Sequence, residues 1–200
     1  MTAPIDFYFD FASPYGYLAS HRIDEIGERF GRAVTWRPIM LGAMFKAVGT
    51  APLTTYPLKG VYSRHDLGRT ARLFGVEFGV PEGFPHGTLP AARGFYWLGE
   101  SDANKQKPFA KAFYHAYFGE GRNVSEMDAT ADIAASVGIG REAFIAAIQE
   151  PAIKDRLKAE TNAALERGVF GAPFIFIDGE PFWGVDHFDQ VERWLETGGW

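Results

Sequence analysis

The sequence predicts an α/β fold carrying a large helical insertion, and three observations carry that prediction. The first forty residues read strand, helix, strand; a long middle segment shows only helical periodicity; the end returns to a β-hairpin followed by a helix. Ile5 to Phe11 is IDFYFDF, an aromatic and β-branched run suited to a strand that feeds a central sheet. Its aromatic side chains are expected to divide between the two faces of that strand, as the period of two requires. After Ser13-Pro14, the residues Tyr17, Leu18, Ile23, Ile26 and Phe30 recur at helical spacing until Gly31, which predicts one helix. Val34 to Ile39, VTWRPI, is then a second strand, parallel to the first if the helix is its crossover.

From Met40 to about Gly168 the grammar is helical: Leu67 to Phe74, Ala91 to Leu98, Phe109 to Phe118, Ala129 to Val137, Glu142 to Ile148 and Ala152 to Leu165, punctuated by Gly and Pro. A structureless loop of that length would be implausible in a compact chain, so residues 41–168 read as an inserted helical domain. Phe174 to Ile177 and Pro181 to Trp183 flank Asp178-Gly179, a dipeptide that supplies the positive φ angles of a tight hairpin. Asp186 to Leu195 reads as a last helix. Residues 1–40 and 169–200 together then give the element order of a thioredoxin-like domain, discontinuous around the insertion.

Composition narrows the function. Twenty basic against twenty-five acidic residues give a formal net charge of −5, so no global positive field attracts nucleic acid or anionic lipid. Residues 1–10 lack a basic and apolar leader pattern, and no stretch is long and apolar enough to span a bilayer, which leads us to expect a cytoplasmic protein. There is no cysteine. Disulfides, thiolate metal sites and thiol redox catalysis by the chain are therefore excluded, and any sulfur chemistry needs a thiol brought by a ligand.

Ser13-Pro14-Tyr15-Gly16 lies where the first strand passes into the first helix, and free N–H groups at a helix start favour a negative charge such as a thiolate. Serine at the N-cap followed by proline is also an ordinary helix start with no chemistry attached. Gly171-Ala172-Pro173 precedes the hairpin; a cis Ala172-Pro173 bond would leave the Ala172 main chain free to pair with an extended peptide-like ligand, whereas a trans proline opening a strand is the commoner case. Asp186 suits the N-cap of the last helix, or else an outward carboxylate for a ligand ammonium. Lys46 and Lys59 are ordinary solvated lysines taken singly, and as a pair could bind ligand carboxylates across the ordered loop 49–57.

Other patterns fail. Gly138-Ile139-Gly140 with Ala143 follows a helical segment, not the strand that a dinucleotide-binding turn needs. The five histidines show no metal-binding spacing, so no metal is expected, and no G-x-S-x-G elbow makes Ser13 a hydrolase nucleophile.

Four segments, FYFDFASPYGYLA (7–19), RPIMLGAMFKAVG (37–49), YPLKGVYSRHDLGR (56–69) and GVFGAPFIFIDGEPFWGVD (168–186), closely resemble the 2-hydroxychromene-2-carboxylate isomerases, relatives of kappa-class glutathione transferases and of DsbA-type oxidoreductases. The resemblance implies a thioredoxin-like fold with a helical insertion, glutathione as cofactor, and a homodimer. It places Ser13 as the hydrogen-bond donor to the glutathione thiolate, at the position where redox relatives carry a cysteine. It implies that glutathione is held by Ala172 before a cis Pro173, by Asp186 at the γ-glutamyl amino group, and by Lys59 and Thr50. Lys46 and the aromatic side chains Tyr15, Phe45, Tyr62, Phe84 and Trp183 are implied to face an aromatic substrate in a cleft between the domains.

Three departures stand out. Thr50 replaces a usual asparagine, Gly87 replaces another, and His187 follows Asp186 where relatives have arginine, which removes a cation able to meet a ligand carboxylate. The implied activity is a cis-trans isomerisation of a chromene carboxylate or similar keto acid; the alternatives are a kappa-like transferase or peroxidase, and a glutathione-binding module without turnover.

Overall fold

In the computed structural model, which describes residues 3–200, four strands form one sheet in the order β2-β1-β3-β4. β1 (Ile5–Phe9) lies inside, parallel to β2 (Val34–Pro38) and antiparallel to β3 (Phe174–Ile177). β4 (Glu180–Trp183) completes the hairpin at the sheet edge. Every residue of β3 is buried, and every residue of β1 except Asp6, because helices cover both faces of the sheet. Phe7 and Phe9 enter the larger core and Tyr8 the smaller one beside Phe174 and Phe176, so the pleat divides the aromatic run between faces. Asp178 (φ 53°) and Gly179 (φ 95°) take the positive angles that a two-residue turn demands. Arg32 braces that turn with hydrogen bonds of 2.8 and 3.1 Å to the Asp178 carboxylate.

The predicted first helix is two helices, α1 (Pro14–Ser20) and α2 (Ile23–Arg29). The Ser20 hydroxyl donates to the Tyr17 carbonyl, and the amides of His21 and Arg22 reach back only three residues, which breaks the ladder. The apolar period survives the break because Ile23 and Ile26 face the same core as Tyr17 and Leu18. β1 also ends two residues short of Phe11, since the Asp10 carbonyl leaves the sheet to accept from the Ser13 amide at 2.8 Å.

Between β2 and β3 run α3 (Leu41–Val48), α4 (Pro57–Phe74), α5 (Leu89–Ser101), α6 (Gln106–Tyr114), α7 (Met127–Ser136), α8 (Arg141–Ala147) and α9 (Pro151–Glu166). α4 starts ten residues before the expected Leu67, at a proline in its first turn. Its small and charged residues hide the period: Gly60, Ser63 and Ala71 are what it buries beside Leu67. A 3₁₀ turn at Leu53–Thr55 precedes it, and α6 runs on into a π-helical turn at His115–Gly119. α10 (Phe188–Thr197) follows a 3₁₀ turn at Val185–His187. Asp186 sits in that turn and is not the helix cap, a place taken by His187 with no side-chain bond.

Sheet and insertion share one core. The Phe11 ring lies 5.1 Å from Phe113 and 5.3 Å from Tyr114, and Phe9 lies 5.8 Å from Phe95. Each such fully buried ring contributes about 1.5–3 kcal/mol relative to exposure, so these contacts fix the insertion over the C-terminal end of β1.

Candidate functional site

Ser13 is at the N-cap of α1, with extended backbone (φ −92°, ψ 112°), and is only 4% exposed. Its Oγ accepts from the Gly16 amide at 3.0 Å and its hydroxyl donates to the Ala172 carbonyl oxygen at 3.2 Å. The helix-start reading and the site reading are therefore both realised by one atom. The hydroxyl has a single proton, so donation to an incoming anion requires it to leave Ala172, while the Gly16 bond keeps the oxygen in place.

The Ala172-Pro173 peptide is cis, and the Pro173 carbonyl accepts from Gly184 at 3.0 Å. The Ala172 N–H has no acceptor among the described residues. Gly171 lies beneath Trp183: a Cβ there would stand 2.5 Å from the indole Nε1. Ala172 thus presents a main-chain donor beside Ser13, with an aromatic side chain folded over the residue before it.

Asp10, which the sequence reading did not single out, organises the floor of this site. Its carboxylate accepts from the amides of Ala12 (2.7 Å) and Leu41 (2.6 Å) and from the Thr88 hydroxyl (3.2 Å). Its carbonyl accepts from Ser13 and, at 2.9 Å, from the buried Tyr114 hydroxyl. Burial pushes its pKa above the ordinary 3.8, against the lowering effect of these donors. One carboxylate so ties the end of β1 to the starts of α3 and α5. The only sequence signal was an acid inside an aromatic run, and that pattern does not reveal its partners.

Tyr15 is half-buried and its hydroxyl donates to Asp66 of α4 at 2.9 Å. Desolvation first, then the hydrogen bond to Asp66 and the charges of Asp66 and Asp186, push its pKa up. Asp66 also pairs with Arg69, whose Nη2 is 3.3 Å from the Tyr62 hydroxyl. α1 packs against both α4 and the turn that holds Asp186. Tyr15, which bonds Asp66 and feels the charge of Asp186, therefore lies between the two.

The remaining candidates are dispersed. Asp186 is exposed, with Oδ1 3.6 Å from Nδ1 of His187. Lys46, in the last turn of α3, and Thr50 just beyond it are exposed; Lys59 is exposed above the Tyr56 ring. None of these lysines has a carboxylate partner among the described residues. Phe45 is half-buried on α3. Phe84 is half-buried and packs against Tyr117 and Phe118 at the edge of the larger core. Tyr62 is 61% exposed; Trp183 is 53% exposed and leans on Phe170. No two of the five candidate aromatic rings pack on each other among the described residues, although Tyr15 and Tyr62 are linked through Asp66 and Arg69. A cavity of about 560 Å³ lies outside β4 between Trp183, Trp194 and Trp200, and of the candidates it takes in only Trp183.

Residues 4–196 match the family described as the DSBA-like thioredoxin domain. The chain is 32% identical over 197 residues to a 2-hydroxychromene-2-carboxylate isomerase of Sphingobium xenophagum, covering 98% of this chain and 99% of that one. It is 24% identical to glutathione S-transferase kappa 1 of Caenorhabditis elegans, covering 96% and 90%. A solved structure of a 2-hydroxychromene-2-carboxylate isomerase superposes with a TM-score of 0.87 at 29% identity, covering 96% and 94%.

Proposed function

The chain belongs to the family of DSBA-like thioredoxin domains, and from that premise we propose that it is a glutathione-dependent isomerase. Its substrate on this reading is 2-hydroxychromene-2-carboxylate, interconverted with trans-o-hydroxybenzylidenepyruvate, or a similar aromatic keto acid. The observation that carries the reading is the Ser13 hydroxyl at the start of α1, within hydrogen-bond reach of Ala172, whose N–H has no acceptor among the described residues.

The residues present fit glutathione. The Ala172 N–H would pair with its main chain, the exposed Asp186 carboxylate with its ammonium, and the exposed Lys59 and Thr50 with a carboxylate. Bound glutathione would supply a thiolate able to add reversibly to a conjugated carbon, so that a former double bond can rotate. Ser13 acts as a donor to the anion and not as a nucleophile; the helix start adds a favourable field, and both lower a thiol pKa. Tyr15 forms the neighbouring wall, its proton committed to Asp66. Lys46, Phe45, Tyr62, Phe84 and Trp183 belong to the acceptor side of the same reading. Homodimeric assembly and a cytoplasmic location complete it, the former testable by sedimentation velocity.

Incubation with glutathione and a chromene carboxylate tests the proposal. Glutathione-dependent approach to the same equilibrium from both isomers, with glutathione recovered unchanged, is the expected result. The kappa transferase relative favours a second reading, conjugation, which would consume glutathione and yield a thioether. Saturable binding with neither outcome would leave a binding module.

A further inference from the structure

Asp186 has the imidazole of His187 beside it at 3.6 Å, and the structure holds a guanidinium on α4, linked to Tyr15 through Asp66. We propose that Arg69, fixed by Asp66 and Tyr62 and linked through Asp66 to Tyr15, is the group that binds a ligand carboxylate at this site. The inference rests on the glutathione reading and names the chemistry that reading leaves unassigned.

Arg69 uses one nitrogen, Nη2, for both Asp66 and Tyr62, while its Nε–H and Nη1 protons have no acceptor among the described residues. The guanidinium is half-exposed and lies 5.9 Å from the centre of the Tyr62 ring. It is an oriented donor group, pinned on one edge and open on the other. Asp66 joins it to the site, because the second carboxylate oxygen accepts from Tyr15, two residues from Ser13. Asp66 neutralises part of its charge, so Arg69 contributes directed hydrogen bonds at short range and little long-range attraction. The exposed Tyr62 ring beside it gives an aromatic acid a surface to stack on. The carboxylate it meets has two sources, the glycyl carboxylate of glutathione, at the end of the tripeptide away from an ammonium held by Asp186, and the keto-acid carboxylate of the acceptor.

Calorimetric titrations of the wild type, Arg69→Gln and Arg69→Lys with glutathione, and separately with cinnamate as a thiol-free aromatic carboxylate, distinguish the two. Arg69→Gln is expected to weaken one of these ligands by about tenfold, as loss of a charge-assisted hydrogen bond at a half-exposed site implies, with partial recovery in Arg69→Lys. Weakened glutathione assigns the glutathione source; weakened cinnamate, with a raised KM for a carboxylate acceptor and an unchanged KM for 1-chloro-2,4-dinitrobenzene, assigns the acceptor. If the wild type binds glutathione and both variants bind both ligands within twofold of it, Arg69 has no such role. If the wild type binds cinnamate in an Arg69-dependent way but not glutathione, the glutathione reading fails and the carboxylate site stands. Binding of neither ligand by the wild type overturns both.

Discussion

The Ser13 hydroxyl donates to the carbonyl of Ala172 at 3.2 Å, joining residues 159 apart in the chain. The contact brings the start of α1 and the entrance to the hairpin together, and it sets the resting direction of the only proton that Ser13 can offer an anion.

Ser13→Ala removes that contact and the cap on the Gly16 amide, yet the buried cap position is small. The fold should persist with a loss of about 1 kcal/mol. Bound glutathione should titrate at higher pH, since a donor to its charged form is gone while the helix start remains. Thiolate absorbance against pH, measured with isomerisation rate, checks this. Identical titration and turnover in the two proteins would reduce Ser13 to a helix cap.

Gly16→Ala should be destabilising, although the same change in an exposed helix interior gains roughly 0.5–1 kcal/mol. A Cβ at position 16 would stand 2.6 Å from the Tyr114 hydroxyl and 3.3 Å from Cβ of Ser13. Tyr114 is fully buried and cannot swing away. The expected loss is about 1–3 kcal/mol by denaturant unfolding, with part of it restored when Tyr114→Phe removes the obstructing oxygen. Additive effects in the double variant would show that the crowding is elsewhere.

Asp10 gives stability a defined pH slope. Its folded pKa is raised above the ordinary 3.8, so the folded state holds this proton longer than the unfolded chain does. This group's contribution is thus complete below the unfolded pKa and declines as pH rises from there through the folded value. Asp10→Asn should remove that decline from the stability profile. It should also destabilise at every pH by about 1–3 kcal/mol, because an amide cannot accept from both Ala12 and Leu41 as the two carboxylate oxygens do. Parallel profiles for wild type and variant between pH 4 and 7, roughly the span above a free carboxyl's pKa, would contradict the assignment.

Gly171→Ala tests the cover over the hairpin entrance. The added methyl would displace the Trp183 indole, and that half-exposed ring has room to turn outward. Stability should fall by less than about 1 kcal/mol, as for a surface substitution with a local shift. The tryptophan emission should move to the red, and glutathione binding should weaken if the indole shapes the Ala172 platform. Unchanged emission would mean that the backbone, not Trp183, gives way.

The strand pairings and most helices were legible because their signals are local. The period of β1, the Asp178-Gly179 turn and the apolar spacing of Tyr17 to Ile26 lie in consecutive residues. The break at Ser20 was hidden for the same reason, since two short helices sharing one face keep one period. α4 was shortened because Gly60 and Ser63 meet other elements without an apolar signature. Resemblance placed Ser13, Ala172 and Asp186 as candidates, but it did not reveal what they touch.

By itself, then, the sequence determined the α/β order with its helical insertion, the hairpin geometry, and the need for any thiol to come from a ligand, since these follow from spacing, turn residues and the absence of cysteine. Tertiary structure alone decided that Asp10 holds Leu41 and Thr88, that Tyr15 reaches Asp66, and that Phe84 packs against Phe118. These pairings connect residues distant in the chain, one partner at a time. Hydrogen bonds between such residues have no period to betray them; they exist only once packing of the aromatic core has closed the intervening chain and made up its entropy cost.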